Sequence, residues 1–158
     1  MPVFRPKDRP VDKGENAACG AYASEWLSQP GGLTQFGVII ETLPPGSASS
    51  INHWHSDEDE LIYMLEGRAT LIEGDTEIEI GPGDVATFRA GVALGHCLEN
   101  RSDRDLRFLV VGTRAERDVV TYPRNDRMLH RDRGTDSRRW TDHAGNPAPN
   151  PYDEPPEG

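Results

Sequence analysis

Cysteine is scarce in this chain of 158 residues, long apolar runs are missing, and positive charge is in deficit. Each shortage excludes something. Two cysteines, Cys19 and Cys97, make neither a disulfide framework nor a zinc-finger spacing, so both are expected as free thiols. No apolar stretch approaches the ~18 residues that a membrane-spanning helix needs, which argues against a membrane partner. The opening "MPVFRPKDRPVDKGEN" lacks an apolar signal core, and a cytoplasmic location is expected on that ground. Against 27 acidic residues stand 17 basic ones, a formal net charge of -10. Nucleic acid is therefore not an expected partner, because affinity for a phosphate backbone comes from clustered cations.

What is present is polar and unevenly charged. Hydrophobic residues make up 35% of the chain and the mean hydropathy is -0.68, yet the length suffices for one domain with one core. Residues 101–139 carry eleven arginines against seven acids. That stretch reads first as a solvated, salt-bridged surface, and second as a patch for a small anionic ligand or an acidic neighbouring subunit.

Three parts follow along the chain. Residues 1–32 read as an irregular N-terminal arm, with a short helix expected at "NAACGAYASEWLSQ" before the "PGG" stop. Residues 33–113 hold short β-like segments: "TQFGVIIETL", "ELIYMLEG", "RATLIEG", "TEIEIGPG", "DVATFRAG" and "LRFLVVGTR". Gly74-Asp75 marks a tight turn between two of them. Gly, Pro and Asp punctuate strands of this length in an all-β sandwich or barrel, and no crossover helix separates them. Residues 114–158 read as a polar, Pro-rich C-terminal extension, too broken to support a core of its own.

The chemistry concentrates in "HWHSDEDELIYMLEG", residues 53–67. Alternation along a strand puts His53 and His55 on one face and Trp54 on the other. Two imidazoles together bind a metal if a carboxylate converges on them, and both Asp57 and Glu60 compete for that role. "SDED" is a turn-forming run, so a hairpin there would fold Glu60 back beside His55, which favours Glu60. Asp57, Glu58 and Asp59 are then expected to stay in water. His96, in "AGVALGHCLEN", supplies a further imidazole at the start of another alternating stretch. Three His and one Glu leave one or two positions open on a five- or six-coordinate ion.

These residues resemble a known family. Gly46, His53-x-His55, Glu60 and Gly67 are similar to the first cupin motif, and "GDVATFRAGVALGHCLEN" is similar to the second. The resemblance covers residues 33–113 and, more narrowly, points to single-domain bacterial cupins of a sugar-phosphate-isomerase-like group. It implies a jelly-roll β-barrel in which His53, His55, Glu60 and His96 hold a divalent transition metal: Mn, Fe, Zn, Ni or Co. It implies also a metal enzyme of isomerase, lyase or dioxygenase type acting on a small ligand, or else a non-catalytic binding module. Glu60 and Tyr63 are the candidate catalytic residues. Arg89 replaces the proline usual in the second motif, and it reads either as an outward salt-bridge partner or as a substrate-binding cation at the barrel mouth. A homodimer is expected, since small cupins commonly pair through sheet edges.

Overall fold

Runs of β-branched and aromatic residues become strands wherever glycine, proline or aspartate frees the chain to turn. In the computed structural model, which describes residues 3–153, thirteen strands form. They are β1 (Val11–Asn16), β2 (Gly20–Trp26), β3 (Phe36–Leu43), β4 (Trp54–His55), β5 (Glu60–Glu66) and β6 (Ala69–Glu73). After them come β7 (Thr76–Ile80), β8 (Val85–Phe88), β9 (His96–Glu99), β10 (Leu106–Thr113), β11 (Arg117–Tyr122), β12 (Arg127–Asp132) and β13 (Ser137–Thr141). Helical structure among the described residues is limited to three short 3₁₀ turns, and no helix is long and apolar enough to cross a membrane.

The strands build two layers. One is a six-stranded sheet in the order β1-β2-β3-β10-β5-β8. The other combines a four-stranded ladder, β13-β12-β11-β4, with a three-stranded one, β7-β6-β9. A single antiparallel bridge joins these two ladders: His53 N–H donates to His96 O at 3.1 Å, and His96 N–H donates to His53 O at 2.8 Å. Leu43, Ile62, Met64, Leu106 and Phe108 from the first layer meet Leu71, Ile80 and Leu98 from the second in the main core. This is the expected all-β jelly roll.

Local chemistry fixes several corners. The two-residue turn at Gly74-Asp75 closes the β6–β7 hairpin, with Glu73 opposite Thr76 and Gly74 at φ 56°. Gly67 sits at φ 76°, where an added Cβ would come within 2.8 Å of Asp105 O and Leu106 Cα, so only glycine fits. On edge strand β7 the alternation is only half used. Ile80 is buried, whereas Ile78 lies open to water.

Both flanking segments depart from expectation. No helix forms near Ala17. Residues 11–26 make the β1–β2 hairpin, and β2 pairs with β3 from Ala23↔Thr42 to Trp26↔Ile39. Asn16 Oδ1 accepts from Cys19 N at 2.8 Å, and Gly20 takes φ 77°, so the Ala-rich stretch becomes a turn. Pairing on a waiting sheet edge overrides the weak helical preference of alanine. Residues 114–141 likewise extend the second layer: Thr121 pairs with Trp54 and Val120 with His55. Val120, Tyr122 and Leu129 form a second core with Ile51, Trp140 and Tyr152. A few apolar residues on one face suffice because the barrel supplies the opposing surface.

Candidate metal centre

Two imidazoles reach the barrel interior at β4: His55 belongs to the strand, and His53, extended just before it in the bridge to His96, falls on the same face. The rings of His53 and His55 lie 5.1 Å apart, and those of His53 and His96 4.9 Å apart. Glu60, first residue of β5, projects from the facing sheet. Its Oε2 lies 3.8 Å from His55 Nε2 and its Oε1 3.7 Å from His96 Nε2, both longer than a hydrogen bond. Ligand atoms of His53, Glu60 and His96 all fall within 4.8 Å of one another. The structure therefore brings together all of the residues proposed as metal ligands, but not by a hairpin. β4 pairs with β11, whereas β5 pairs with β10 and β8. Ser56–Asp59 carries the chain from one layer to the other, and Glu60 meets the histidines across the barrel.

Each ring is oriented from behind. His55 Nδ1 lies 2.7 Å from Asp118 Oδ2, and His53 Nδ1 lies 2.9 Å from the carbonyl of Ile51. Protonated Nδ1 atoms leave both Nε2 lone pairs directed inward. His96 is fixed by stacking instead: Phe88 lies parallel to it with ring centroids 3.5 Å apart. Both of its nitrogens are buried with no hydrogen-bond partner. Burying an imidazole without partners is costly, and an ion at Nε2 would satisfy one of the two nitrogens. The donor set, three imidazole nitrogens and one carboxylate, suits a divalent transition metal.

The electrostatics agree with that fit. Burial lowers the pKa of His53 to about 4, outweighing the pull of Glu60, so the ring is neutral and available as a ligand near pH 7. Burial works against the charged form of Glu60, but the three histidines prevail and hold the carboxyl below its ordinary value. Asp118, also desolvated, is held below the usual range by His55 and by Asp57 N–H.

Asp118 escaped the sequence reading, since 63 residues separate it from His55. A signal did exist. Asp118, Val120 and Tyr122 alternate along β11, and an acid in phase with two apolar residues faces the interior, where all three are buried. Glu58 also differs from expectation. It is buried, and its Oε1 accepts from Arg133 Nη2 at 2.6 Å, whereas Asp57 and Asp59 remain exposed.

One further expectation changes. Tyr63 alternates with Ile62 and Met64 and stands on the outer face of β5, 39% exposed, so it is removed from the cluster. The phenol that does reach it belongs to Tyr122, whose ring centroid lies 5.7 Å from that of His53. Arg89 is exposed and borders a small cavity of about 160 Å³ shared with His55, Glu58 and His96. The larger cavity, about 290 Å³, opens on His53, His55 and Glu60 and excludes Arg89. Tyr122, Arg131 and Tyr152 line its wall, and they also border an adjoining pocket that contains Glu41. Burial, reinforced by Glu60, raises the Glu41 pKa to about 8.

Comparison with known proteins matches this geometry to a family. The Cupin domain matches residues 39–112. A crystal structure named as a cupin-superfamily sugar phosphate isomerase, from Silicibacter pomeroyi, is 32% identical, with a TM-score of 0.84 over 94% of this chain and 97% of that one. A structure from Acidithiobacillus ferrooxidans, whose name provisionally gives the same activity, is 30% identical, with a TM-score of 0.74 over 82% and 81% of the two chains. A predicted oxalate decarboxylase from Thermotoga maritima is 26% identical, with a TM-score of 0.62 over 72% of this chain and 99% of that one. No curated protein matches. With the two-layered barrel, the His53-x-His55 pair and relatives matched along nearly their whole length, the chain belongs to the cupin superfamily.

Proposed function

We propose that this cupin is a metal-dependent enzyme that acts on a small polar or anionic metabolite by isomerase-like proton transfer. The observation that carries the reading is His96, a buried imidazole with no hydrogen-bond partner, aimed at the same point as Glu60. His53, His55, Glu60 and His96 would hold the ion, which when bound would polarise a substrate carbonyl as a Lewis acid.

The chain's own groups divide the remaining work. Asp118 and the Ile51 carbonyl keep His55 and His53 in the tautomers that present Nε2. Glu60 stays ionised and offers a carboxylate oxygen as proton acceptor. Tyr122, its pKa raised by burial, keeps its proton at neutral pH and supplies an O–H donor to a substrate oxygen. The isomerase names of the Silicibacter and Acidithiobacillus relatives support this chemistry. The Thermotoga relative favours decarboxylation as the second reading, on the same metal.

Elemental analysis of untagged protein tests the site, and incubation in deuterium oxide tests the chemistry. His55→Ala and Glu60→Ala should each reduce metal content to near background, while Asp57→Ala should leave it intact. Metal lost from Asp57→Ala but retained by Glu60→Ala would overturn the ligand assignment. Solvent deuterium entering the carbon next to the carbonyl of a sugar phosphate supports proton transfer. Release of carbon dioxide from oxalate, without such exchange, would establish the lyase reading instead.

A further inference from the structure

Arginine cannot discard its charge by titration, so a buried guanidinium asks for an anion. Arg131 is the conspicuous case, half-buried as a residue with its Nε wholly enclosed. It alternates with Leu129 on β12 and so faces the barrel, while His130 points the other way and meets Thr141 Oγ1 at 3.1 Å. Its Nε is buried without a hydrogen-bond partner, and it makes no hydrogen bond or ion pair among the described residues. Asp118 lies opposite it in the ladder and its carboxylate feels the Arg131 charge, but the Asp118 hydrogen bonds all go to His55, Ser56 and Asp57.

The neighbourhood strengthens the case. Arg131 lines the wall of the cavity whose floor carries His53, His55 and Glu60. Arg133 also lines that cavity, but it is neutralised by Glu58. Arg114 makes no ion pair either, and its guanidinium lies over Gly37, where an added Cβ would meet Nε at 3.1 Å. Two unpaired guanidiniums thus share one cavity with the imidazole cluster. A ligand with an oxyanion at one end and a polar reacting group at the other would satisfy both.

We infer that Arg131 is a substrate-binding residue, the anchor for a phosphate or carboxylate group of a ligand whose other end reaches the histidine cluster, with Arg114 as a second cation beside it. This deepens the proposed function, since it places the substrate's charge, but the anion subsite itself does not require a metal. Arg89, exposed on the smaller cavity that also reaches His55 and His96, is the rival for the same role. The planar fork of arginine suits either oxyanion by paired hydrogen bonds.

The test uses chelator-treated, ¹⁵N-labelled full-length protein, so that the probe cannot bind through an ion. Inorganic phosphate and malonate are titrated separately while the arginine Nε–Hε signals are followed, with the Arg131 signal assigned by its loss in Arg131→Lys. One or both anions should shift that signal to saturation, and the tighter of the two identifies the ligand's group. Arg131→Gln should weaken the binding by about tenfold or more, Arg131→Lys by less. An Arg131 signal that neither anion moves overturns the inference even if a variant fails to fold. So does binding lost in Arg89→Ala but kept in Arg131→Gln. Metal content, measured separately, distinguishes the two proposals. Anion binding in a protein that takes up no metal refutes the metal reading alone, and a metal-bound protein whose Arg131 ignores both anions refutes the subsite alone.

Discussion

Replacing Glu41 with glutamine should stabilise the protein, and by an amount that grows with pH. Glu41 lies on β3 in the pocket next to the histidine-lined cavity, and burial and Glu60 raise its pKa from 4.5 to about 8. Between those values the unfolded chain releases a proton that the folded chain keeps, so the unfolded state binds fewer protons and stability falls as pH rises. At 1.36 kcal/mol per unit, the full displacement corresponds to roughly 5 kcal/mol above pH 8. Glu41 is partly open to its pocket, and water there reduces this, leaving about 2–4 kcal/mol. Glutamine keeps the shape and removes the titration. Denaturant unfolding of wild type and Glu41→Gln, in chelator, should therefore give curves that coincide near pH 4.5 and diverge towards pH 8. Taking the difference cancels His53, which acts in the opposite sense: its pKa of about 4 makes both proteins lose stability as pH falls below 6.5. A difference that stays constant from pH 4.5 to 8 would refute the buried, protonated Glu41.

Two more predictions concern groups behind the site and away from it. Asp118→Asn keeps the shape but removes the charge that supports His55, so metal affinity should fall by about 10–100-fold in a competition titration, without loss of the fold. An unchanged affinity would mean that Asp118 serves only the chain turn at Ser56 and Asp57. Cys19 and Cys97 are buried and free, with burial first among the causes that push their pKa values up to about 12 and about 11. Thiol titration should find two thiols per chain in denaturant and little reaction in the native state. Fast native labelling would place at least one of them at the surface.

Alternation made much of this legible beforehand. "TEIEI", "ELIYML" and the paired histidines announce strands and their faces, and β5 presents Glu60, Ile62 and Met64 inward as its sequence dictates. Proximity across the barrel was not legible. The run "SDED" points to a hairpin, yet Glu60 reaches His55 because two layers face each other. Asp118, Tyr122 and Arg131 lay hidden for one shared reason. They belong to a segment whose net polarity suggested an appendage, and polarity averaged over 45 residues conceals three strands with one apolar face each. Glu58 was assigned to water because charge alone is visible in a sequence, whereas the arginine that neutralises it, Arg133, becomes its neighbour only on folding.

The bridge between His53 and His96 gives the site a mechanical character. Among the described residues these two exchange the only backbone ladder pair that links the four-stranded ladder to the three-stranded one, and their side chains meet at the same place. Whatever draws the two imidazoles together therefore also clamps the seam of the sheet. Slow exchange of the His53 and His96 amide protons would register occupancy of the site with no substrate present, so the barrel carries its own gauge of loading.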